Sequence, residues 1–280
     1  MNYHEVLSRG TKILRLNNIK SFNLDSEILL ASSIKLNRAN LLLNLNNKIK
    51  KNHKKTFFNL INRRKKNEPI AYILGYKEFW KKNFKINKSA LIPRPDTEIL
   101  VEQVLKELKK NDSKQILDIG TGSGCIILSV LNERKKSFGY GIDISKKAIN
   151  LAKSNAKIQH ISNRIKFLHS DIDNYNFGKY DLIVSNPPYI KLSDFSVLDN
   201  GIKFFEPNLA LDGGVDGFSK IRKVIKKSSI LAKKKGKLVL EIGFNQKFET
   251  QKILKKYGFY INRIVKDLSG ISRCIVSTKI

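Results

Sequence analysis

The apolar run Tyr180-Asp181-Leu182-Ile183-Val184-Ser185 ends abruptly in Asn186-Pro187-Pro188-Tyr189. Neither proline has a backbone N–H to give to a sheet ladder, so a strand carried by this run has to stop here. An amide side chain, a rigid turn and an aromatic ring are thereby set together at one strand end. From Gln115 onward strand and helix patterns alternate. The candidate strands are residues 115–119, 138–143, 165–169, 180–185, 237–242, 258–266 and 272–278, and the candidate helices 124–135, 145–159, 218–233 and 246–256. Such alternation predicts an α/β fold with a doubly wound, Rossmann-like sheet of seven strands. The short link around Gly270 predicts that the last two strands pair antiparallel at one edge.

Residues 1–75 lack strand-like alternation and read as a small helical domain. Val6, Ile13, Leu14 and Leu16 outline a first amphipathic helix. A second runs from about Leu24 to Ile34, with Asn23 or Asp25 as its N-cap candidate. A Lys- and Arg-rich helix from about Lys48 to Lys66 buries Phe57, Phe58, Leu60 and Ile61, and Pro69 ends it. Residues 76–92, around Phe79-Trp80-Lys81-Lys82-Asn83-Phe84, suggest a hairpin linker. Residues 93–280 then form the α/β domain.

The length of 280 residues allows two domains, and 41% hydrophobic with 28% charged residues suits a globular chain. No apolar run approaches the roughly 20 residues of a membrane helix. The N-terminus lacks a signal-peptide core, so the expectation is a cytoplasmic protein without membrane association. Cys125 and Cys274 sit in no metal-ligand spacing, which argues against zinc. Cys125 opens a helix, where a thiol pKa can fall, but a small packed residue is the plainer reading. The net charge of +30, from 54 Lys and Arg against 24 Asp and Glu, leaves two readings open. One is weak contact with a polyanion or the ribosome. The other is compositional bias, favoured slightly because the lysines concentrate on no single segment.

Gly120-Thr121-Gly122-Ser123-Gly124 follows a candidate strand and opens a helix, in the way of a cofactor loop. Asp143 ends the next strand about 20 residues on, where a carboxylate can accept from ribose hydroxyls. The Gly-x-Gly-x-Gly spacing is not the dinucleotide one, though NAD stays possible on the loop alone. Asp171 and Ile172 follow the third strand, placed to bond an adenine amino group and to pack on its ring. Asp118, Asp143 and Asp171 should share one sheet edge.

Asn186-Pro187-Pro188-Tyr189 is the chemical signal. An amide nitrogen is a poor nucleophile because its lone pair is delocalised into the carbonyl. Two acceptors that bind both of its N–H groups favour a pyramidal nitrogen. The Asn186 side-chain oxygen and the Pro187 carbonyl are the natural pair, preorganised by the prolines. Tyr189 is expected to stack on or wall in the target. With the glycine loop, this points to transfer of a methyl group to a planar nitrogen, driven mainly by positioning. His4, His53, His160 and His169 form no recognisable catalytic pair, and no general base is assigned.

Taken together, these residues resemble the bacterial release-factor glutamine N5-methyltransferases. The resemblance covers nearly the whole chain: Glu68 through Gly75, Glu78-Phe79-Trp80, Leu91 through Glu98, Asp118 through Gly124, Ser185 through Ile190, Phe205-Glu206-Pro207 with Ala210-Leu211, Leu240 through Gly243, Gln246, and Asp267-Leu268 with Gly270 and Arg273. It implies S-adenosylmethionine as co-substrate, no metal, a seven-stranded sheet, and a helical N-terminal domain that helps to hold a protein substrate. It implies methylation of the glutamine in the Gly-Gly-Gln tip of peptide chain release factors. By the resemblance, Asn186, Pro187, Pro188 and Tyr189 hold the target glutamine. Gly120, Thr121, Gly122, Ser123, Gly124, Asp143, Asp171, Ile172 and Asn186 hold the cofactor, and Arg94 to Glu98 lines the site near its methionine end.

Three other readings stay in view. A sister enzyme that methylates a glutamine of a large-subunit ribosomal protein shares the Asn-Pro-Pro-Tyr motif. A DNA amino-methyltransferase uses a related motif, but no sizeable target-recognition domain is present to grip a duplex. A non-catalytic nucleic-acid-binding module would not need the intact loop and motif.

Overall fold

The computed structural model describes residues 1–280, which divide into two compact units. The first comprises Met1–Gly75 and Asp199–Phe205. Its helices are α1 (Tyr3–Leu16), α2 (Phe22–Ser33), α3 (Arg38–Leu43), α4 (Lys51–Arg64) and α5 (Ile70–Leu74). A capping box starts α1: Glu5 N–H donates to Asn2 Oδ1 and Asn2 N–H to Glu5 Oε2. Val6, Leu14, Leu29, Leu30, Leu41, Phe57 and Ile61 form its core. Leu16, expected on the apolar face of α1, is instead 70% exposed. The expected N-cap of α2 also differs. The helix starts at Phe22, and Asp25 is buried inside its first turn, accepting from Ser21 Oγ and Arg64 Nε. A long-range cation competes there with the local capping role.

The second unit, Tyr76–Leu198 with Glu206–Ile280, starts with a hairpin of β1 (Tyr76–Phe79) and β2 (Lys82–Lys85). Trp80 and Lys81 form its turn at φ 48° and 58°, the conformation a two-residue hairpin turn demands. Next come α6 (Glu98–Glu107), β3 (Gln115–Ile119), α7 (Cys125–Glu133), β4 (Phe138–Asp143), α8 (Lys146–Ile158), β5 (Ile165–His169) and β6 (Tyr180–Ser185). The short α9 (Asn200–Phe205) belongs to the first unit. The chain closes with α10 (Ser219–Leu231), β7 (Ala232–Glu241), α11 (Lys247–Lys256), β8 (Phe259–Lys266) and β9 (Ser272–Lys279). No helix is long and apolar enough to cross a membrane.

The seven large-sheet strands lie in the order β5-β4-β3-β6-β7-β9-β8. All neighbours up to β7 run parallel, while β9 is antiparallel to both β7 and β8. The β8–β9 pairing agrees with the short Gly270 link, with β9 inserted inside β8. β7 starts at Ala232, five residues before the expected 237, because the strand runs through Lys233 to Lys235. Three consecutive exposed charges hide it from an apolar pattern, and a register shift opposite Tyr180 and Leu182 absorbs the irregularity. Chain order reverses between β3 and β6. In such sheets this is the point where a crevice opens beyond the strand ends.

Candidate active site

Strand β3 ends at Ile119 and β6 at Ser185, paired across the switch point, with Ser185 Oγ donating to the Ile119 carbonyl at 2.7 Å. An open cavity of about 1330 Å3, mouth included, lies beyond these ends. Gly120, Thr121, Gly122 and Ser123 line it, as do Asp143, Asp171, Ile172, Asn186, Pro187 and Pro188. Residues from four different strand ends, far apart in the chain, are thus brought to one place. Pro93, Arg94 and Thr97 line it too, whereas Glu98 turns to accept from Trp80 N–H at 2.8 Å.

The glycine loop is shaped by its backbone. Gly120 and Gly122 have φ of 73° and 57°, and a Cβ on Gly120 would meet no atom within 4 Å. That side of the loop is open space, into which a ligand can approach the backbone closely. Gly124 has a different part: it caps α7 at φ 79° and faces Leu128, Ala152 and Phe167, away from the cavity. The loop is tied down from behind. Gly122 N–H donates to Asp143 Oδ2 at 2.9 Å, and Asn155 Nδ2 to the Ser123 carbonyl at 2.9 Å. Asn155 also bonds Lys85 through both backbone groups, which fastens the hairpin to α8. Its place in α8 reads as an ordinary helical position in sequence, so nothing local marks this role.

Asp143 also accepts from Ser145 N–H. Burial raises its pKa, and the two N–H groups oppose that rise. Each carboxylate oxygen keeps a further lone pair for a hydroxyl. Asp171 does two things at once. Its Oδ1 caps the short turn at Asp173 N–H, and the residue borders the cavity. Asp118, expected on the same edge, is fully buried behind the loop and takes a hydrogen bond from Thr121 Oγ1 at 2.7 Å. Burial pushes its pKa up to about 7. His169 bonds the Ile144 carbonyl, a local contact. Burial pushes the Cys125 thiol up to about 12, so it stays protonated despite its place at a helix start.

Asn186 points its Nδ2 at Thr97 Oγ1, 3.2 Å away. Its Oδ1 is the other end of that amide. Tyr189, expected to wall in a target, does not line the cavity. Its hydroxyl lies 3.5 Å from Glu241 Oε1, and its ring packs against the sheet core. Glycine at 243 makes room for the ring, since a Cβ there would come within 2.8 Å of Tyr189 Cδ2. Burial and the nearby Glu241 charge push the Tyr189 hydroxyl up to about 12.

Two acidic residues join the site that sequence reasoning assigned no role. Glu206, its side chain fully buried, accepts from Arg94 at 2.6 Å and from Ile92 N–H, which fixes the Leu91–Arg94 segment along the cavity. Glu241 ends β7 and is 2% exposed. Burial pushes it up to about 7 against the pull of Thr97 and Arg273. The signal for both lay in the Phe205-Glu206-Pro207 and Leu240-Glu241-Ile242-Gly243 blocks, without any indication of what each carboxyl does.

The chain matches the family described as "Methyltransferase small domain" over residues 95–207 and that described as "PrmC N-terminal domain" over residues 5–75. It is 38% identical over 282 residues to the release factor glutamine methyltransferase of Fusobacterium nucleatum, covering 98% of this chain and 78% of the relative. It is also 38% identical over 278 residues to the enzyme of that name from Clostridium botulinum, covering 98% of each. Among solved structures, the ribosomal protein L11 methylase from Lactobacillus delbrueckii subsp. bulgaricus superposes with a TM-score of 0.51 at 17% identity, over 68% of this chain and 81% of the other, a likeness of fold. With 38% identity over nearly its full length to enzymes of one name, and with both its N-terminal region and residues 95–207 matched, the chain belongs to the release factor glutamine methyltransferase family.

Proposed function

We propose that this protein transfers a methyl group from S-adenosylmethionine to the side-chain amide nitrogen of the glutamine in the Gly-Gly-Gln tip of peptide chain release factors. The observation that carries the reading is the placement of Asn186 and Pro187 on the wall of the cavity whose other wall is the glycine loop.

The residues present suit S-adenosylmethionine. The open side of Gly120 lets a ligand approach the loop backbone closely, and Asp143 offers lone pairs to ribose hydroxyls. Asp171 and Ile172 offer an acceptor and an apolar edge for adenine. When bound, S-adenosylmethionine supplies a methyl group on a sulfonium, ready for in-line displacement. The chain's own part is orientation. Asn186 Oδ1 and the Pro187 carbonyl accept from the two N–H groups of the target amide, which weakens the delocalisation of its lone pair and aims it at the methyl group. Pro93, Arg94 and Thr97 narrow the cavity on the third side. No general base is assigned, and the cationic product loses its proton to water or to the acceptor pair.

Release factors as substrate carry with them a cytoplasmic setting. The +30 charge is assigned no ligand by this reading, and weak ribosome or polyanion contact is left to the salt experiment below. The direct test is mass spectrometry of purified release factor after incubation with enzyme and S-adenosylmethionine. A single added methyl group, mapped by fragmentation to the Gly-Gly-Gln glutamine, is expected. An unmodified release factor, under conditions where the enzyme binds the cofactor, would overturn the assignment.

A further inference from the structure

Asn155 lies inside α8, 1% exposed, and its side-chain hydrogen bonds all leave the helix. Nδ2 donates to the Ser123 carbonyl at 2.9 Å and to the Lys85 carbonyl at 3.1 Å. Oδ1 accepts from Lys85 N–H at 2.8 Å. Both amide protons and the oxygen are thus committed to two segments outside α8, the glycine loop and the β1–β2 hairpin. Removal of the amide would leave a buried carbonyl in the loop without its partner.

The Lys85 side of this contact has its cause in the hairpin. The ladder pairs Phe79 with Lys82, Glu78 with Asn83, Lys77 with Phe84 and Tyr76 with Lys85. Hydrogen-bonded and non-bonded pairs alternate in an antiparallel ladder, starting from the bonded pair that flanks the two-residue turn. Lys85 therefore stands at a non-bonded pair, with both backbone groups facing outward. The Asn155 amide takes them as a neighbouring strand would. The hairpin is a firm support: Phe79 and Phe84 are buried edge to face. Trp80 N–H donates to Glu98 of α6, and Trp80 Nε1 to Glu133 of α7. On the loop side, Ser123 lines the cavity, and its peptide link to Gly124 is pinned at both ends. Asn155 holds the Ser123 carbonyl, and the Thr121 carbonyl holds Gly124 N–H at 2.8 Å. One side chain thus joins the loop to a hairpin whose strands do not line the cavity.

We propose that Asn155 is a positioning residue that sets the glycine loop against the β1–β2 hairpin, so that S-adenosylmethionine binding and the order of the hairpin are coupled through its side chain. This rests on the reading of the glycine loop as the S-adenosylmethionine site. Asn155 touches no ligand itself. Its part is to hold the Ser123–Gly124 peptide in the orientation that the bound cofactor meets, which lowers the ordering cost of binding. Such coupling is reciprocal. A hairpin that holds the loop in place favours the cofactor, and the cofactor, by fixing the loop, steadies the Lys85 end of the hairpin.

The test compares the full-length wild type with Asn155→Ala, and with Leu254→Ala as a destabilised control. Leu254 is fully buried in α11, which packs on the edge strand β8, away from the loop. Calorimetry, at a temperature where all three are folded, reads S-adenosylmethionine binding. The Kd of Asn155→Ala is expected to rise about fivefold or more, as for a buried group left unpaired, and that of Leu254→Ala to stay within about twofold. Amide hydrogen exchange, read by mass spectrometry, follows the loop at residues 120–124 and strand β2. In the wild type and in Leu254→Ala, added S-adenosylmethionine is expected to slow exchange in both segments. In Asn155→Ala at saturating S-adenosylmethionine, the loop is expected to slow and β2 to stay unchanged. A Kd for Asn155→Ala no higher than that of Leu254→Ala would overturn the proposal, and so would cofactor-dependent protection of β2 that survives the substitution. A wild type that binds no S-adenosylmethionine would instead remove the reading on which it rests. Should Asn155→Ala not fold, wild-type exchange decides: a loop that slows with cofactor beside a β2 that does not overturns the coupling.

Discussion

In the helical unit the buried carboxylate Asp25 is held by Arg64 Nε at 2.6 Å and by Ser21 Oγ at 2.7 Å. In the sheet unit Asp118 and Glu241, buried at least as deeply, each keep one oxygen without a hydrogen-bond partner. Both carboxyls are pushed up to about 7, the mark of burial that compensation does not cancel. The first arrangement serves packing, since a paired buried charge is tolerable and an orphaned one is not. The second stands beside or behind the cavity walls, where strained or under-satisfied groups recur in enzymes because they set the geometry of a site. The difference suggests that stability and chemistry are carried by different residues in the two units, and substitutions can break that division.

The largest effect is expected for Asn186→Ala in the sheet unit. Methyl transfer should fall by about 10²–10³ with little change in cofactor affinity. Single-turnover assays and calorimetry read the two separately, and near wild-type turnover would take Asn186 out of the mechanism.

Asp118→Asn probes the uncompensated carboxyl directly. The folded-state pKa of Asp118 lies above its ordinary value, so the stability it contributes is fully present below about pH 4. That contribution is lost as pH rises through about 7. The Asn variant lacks this slope while keeping an acceptor for Thr121. Relative to wild type without cofactor, it should therefore gain stability between pH 4 and pH 8, on the order of 3 kcal/mol. Parallel thermal melts with no pH-dependent difference would show Asp118 to be compensated after all.

Asp143→Ala should weaken S-adenosylmethionine binding by roughly 1.5–3 kcal/mol, as for lost hydrogen bonds to a charged group. Unchanged affinity by calorimetry would place the ribose elsewhere.

Gly10→Ala tests the other side of the comparison. A Cβ there would meet Phe57 Cζ at 2.4 Å, deep in the α1–α4 packing. The clash should outweigh the helix propensity gained and destabilise by about 1–3 kcal/mol, leaving cofactor Kd unaltered. A denaturant midpoint equal to wild type would mean that this small core repacks freely.

The smallest effect concerns charge. Residues 1–75 carry 15 Lys and Arg against four Asp and Glu, and the rest of the chain is basic as well. Charge spread in this way should steer weakly, so association with release factor is expected to slow less than about tenfold between roughly 50 and 200 mM salt. A larger fall in a stopped-flow series would locate a concentrated basic patch and assign it a function.

Much of this molecule is legible in local sequence, for a physical reason. A double proline stops a strand wherever it occurs, glycines permit a tight loop at any strand–helix junction, and period-2 and period-3.6 patterns report which face is buried. Those rules suffice for the seven strands and for the grouping of Gly120–Ser123, Asp143, Asp171 and Asn186–Pro188 along one edge, whereas the strand order that sets the switch point is seen only in the sheet itself. Tertiary structure decided the rest. Thr97 meets Asn186 across 89 residues of chain, and Tyr189 meets Glu241 across 52. Asp25 left its capping role for Arg64, 39 residues away. Such partners depend on how strands register and helices pack, and no local pattern encodes them. The same holds for the shifted carboxyls, because burial is a property of the assembled fold: Asp118 and Glu241 are ordinary acids in sequence and become groups that titrate near neutrality once the sheet encloses them.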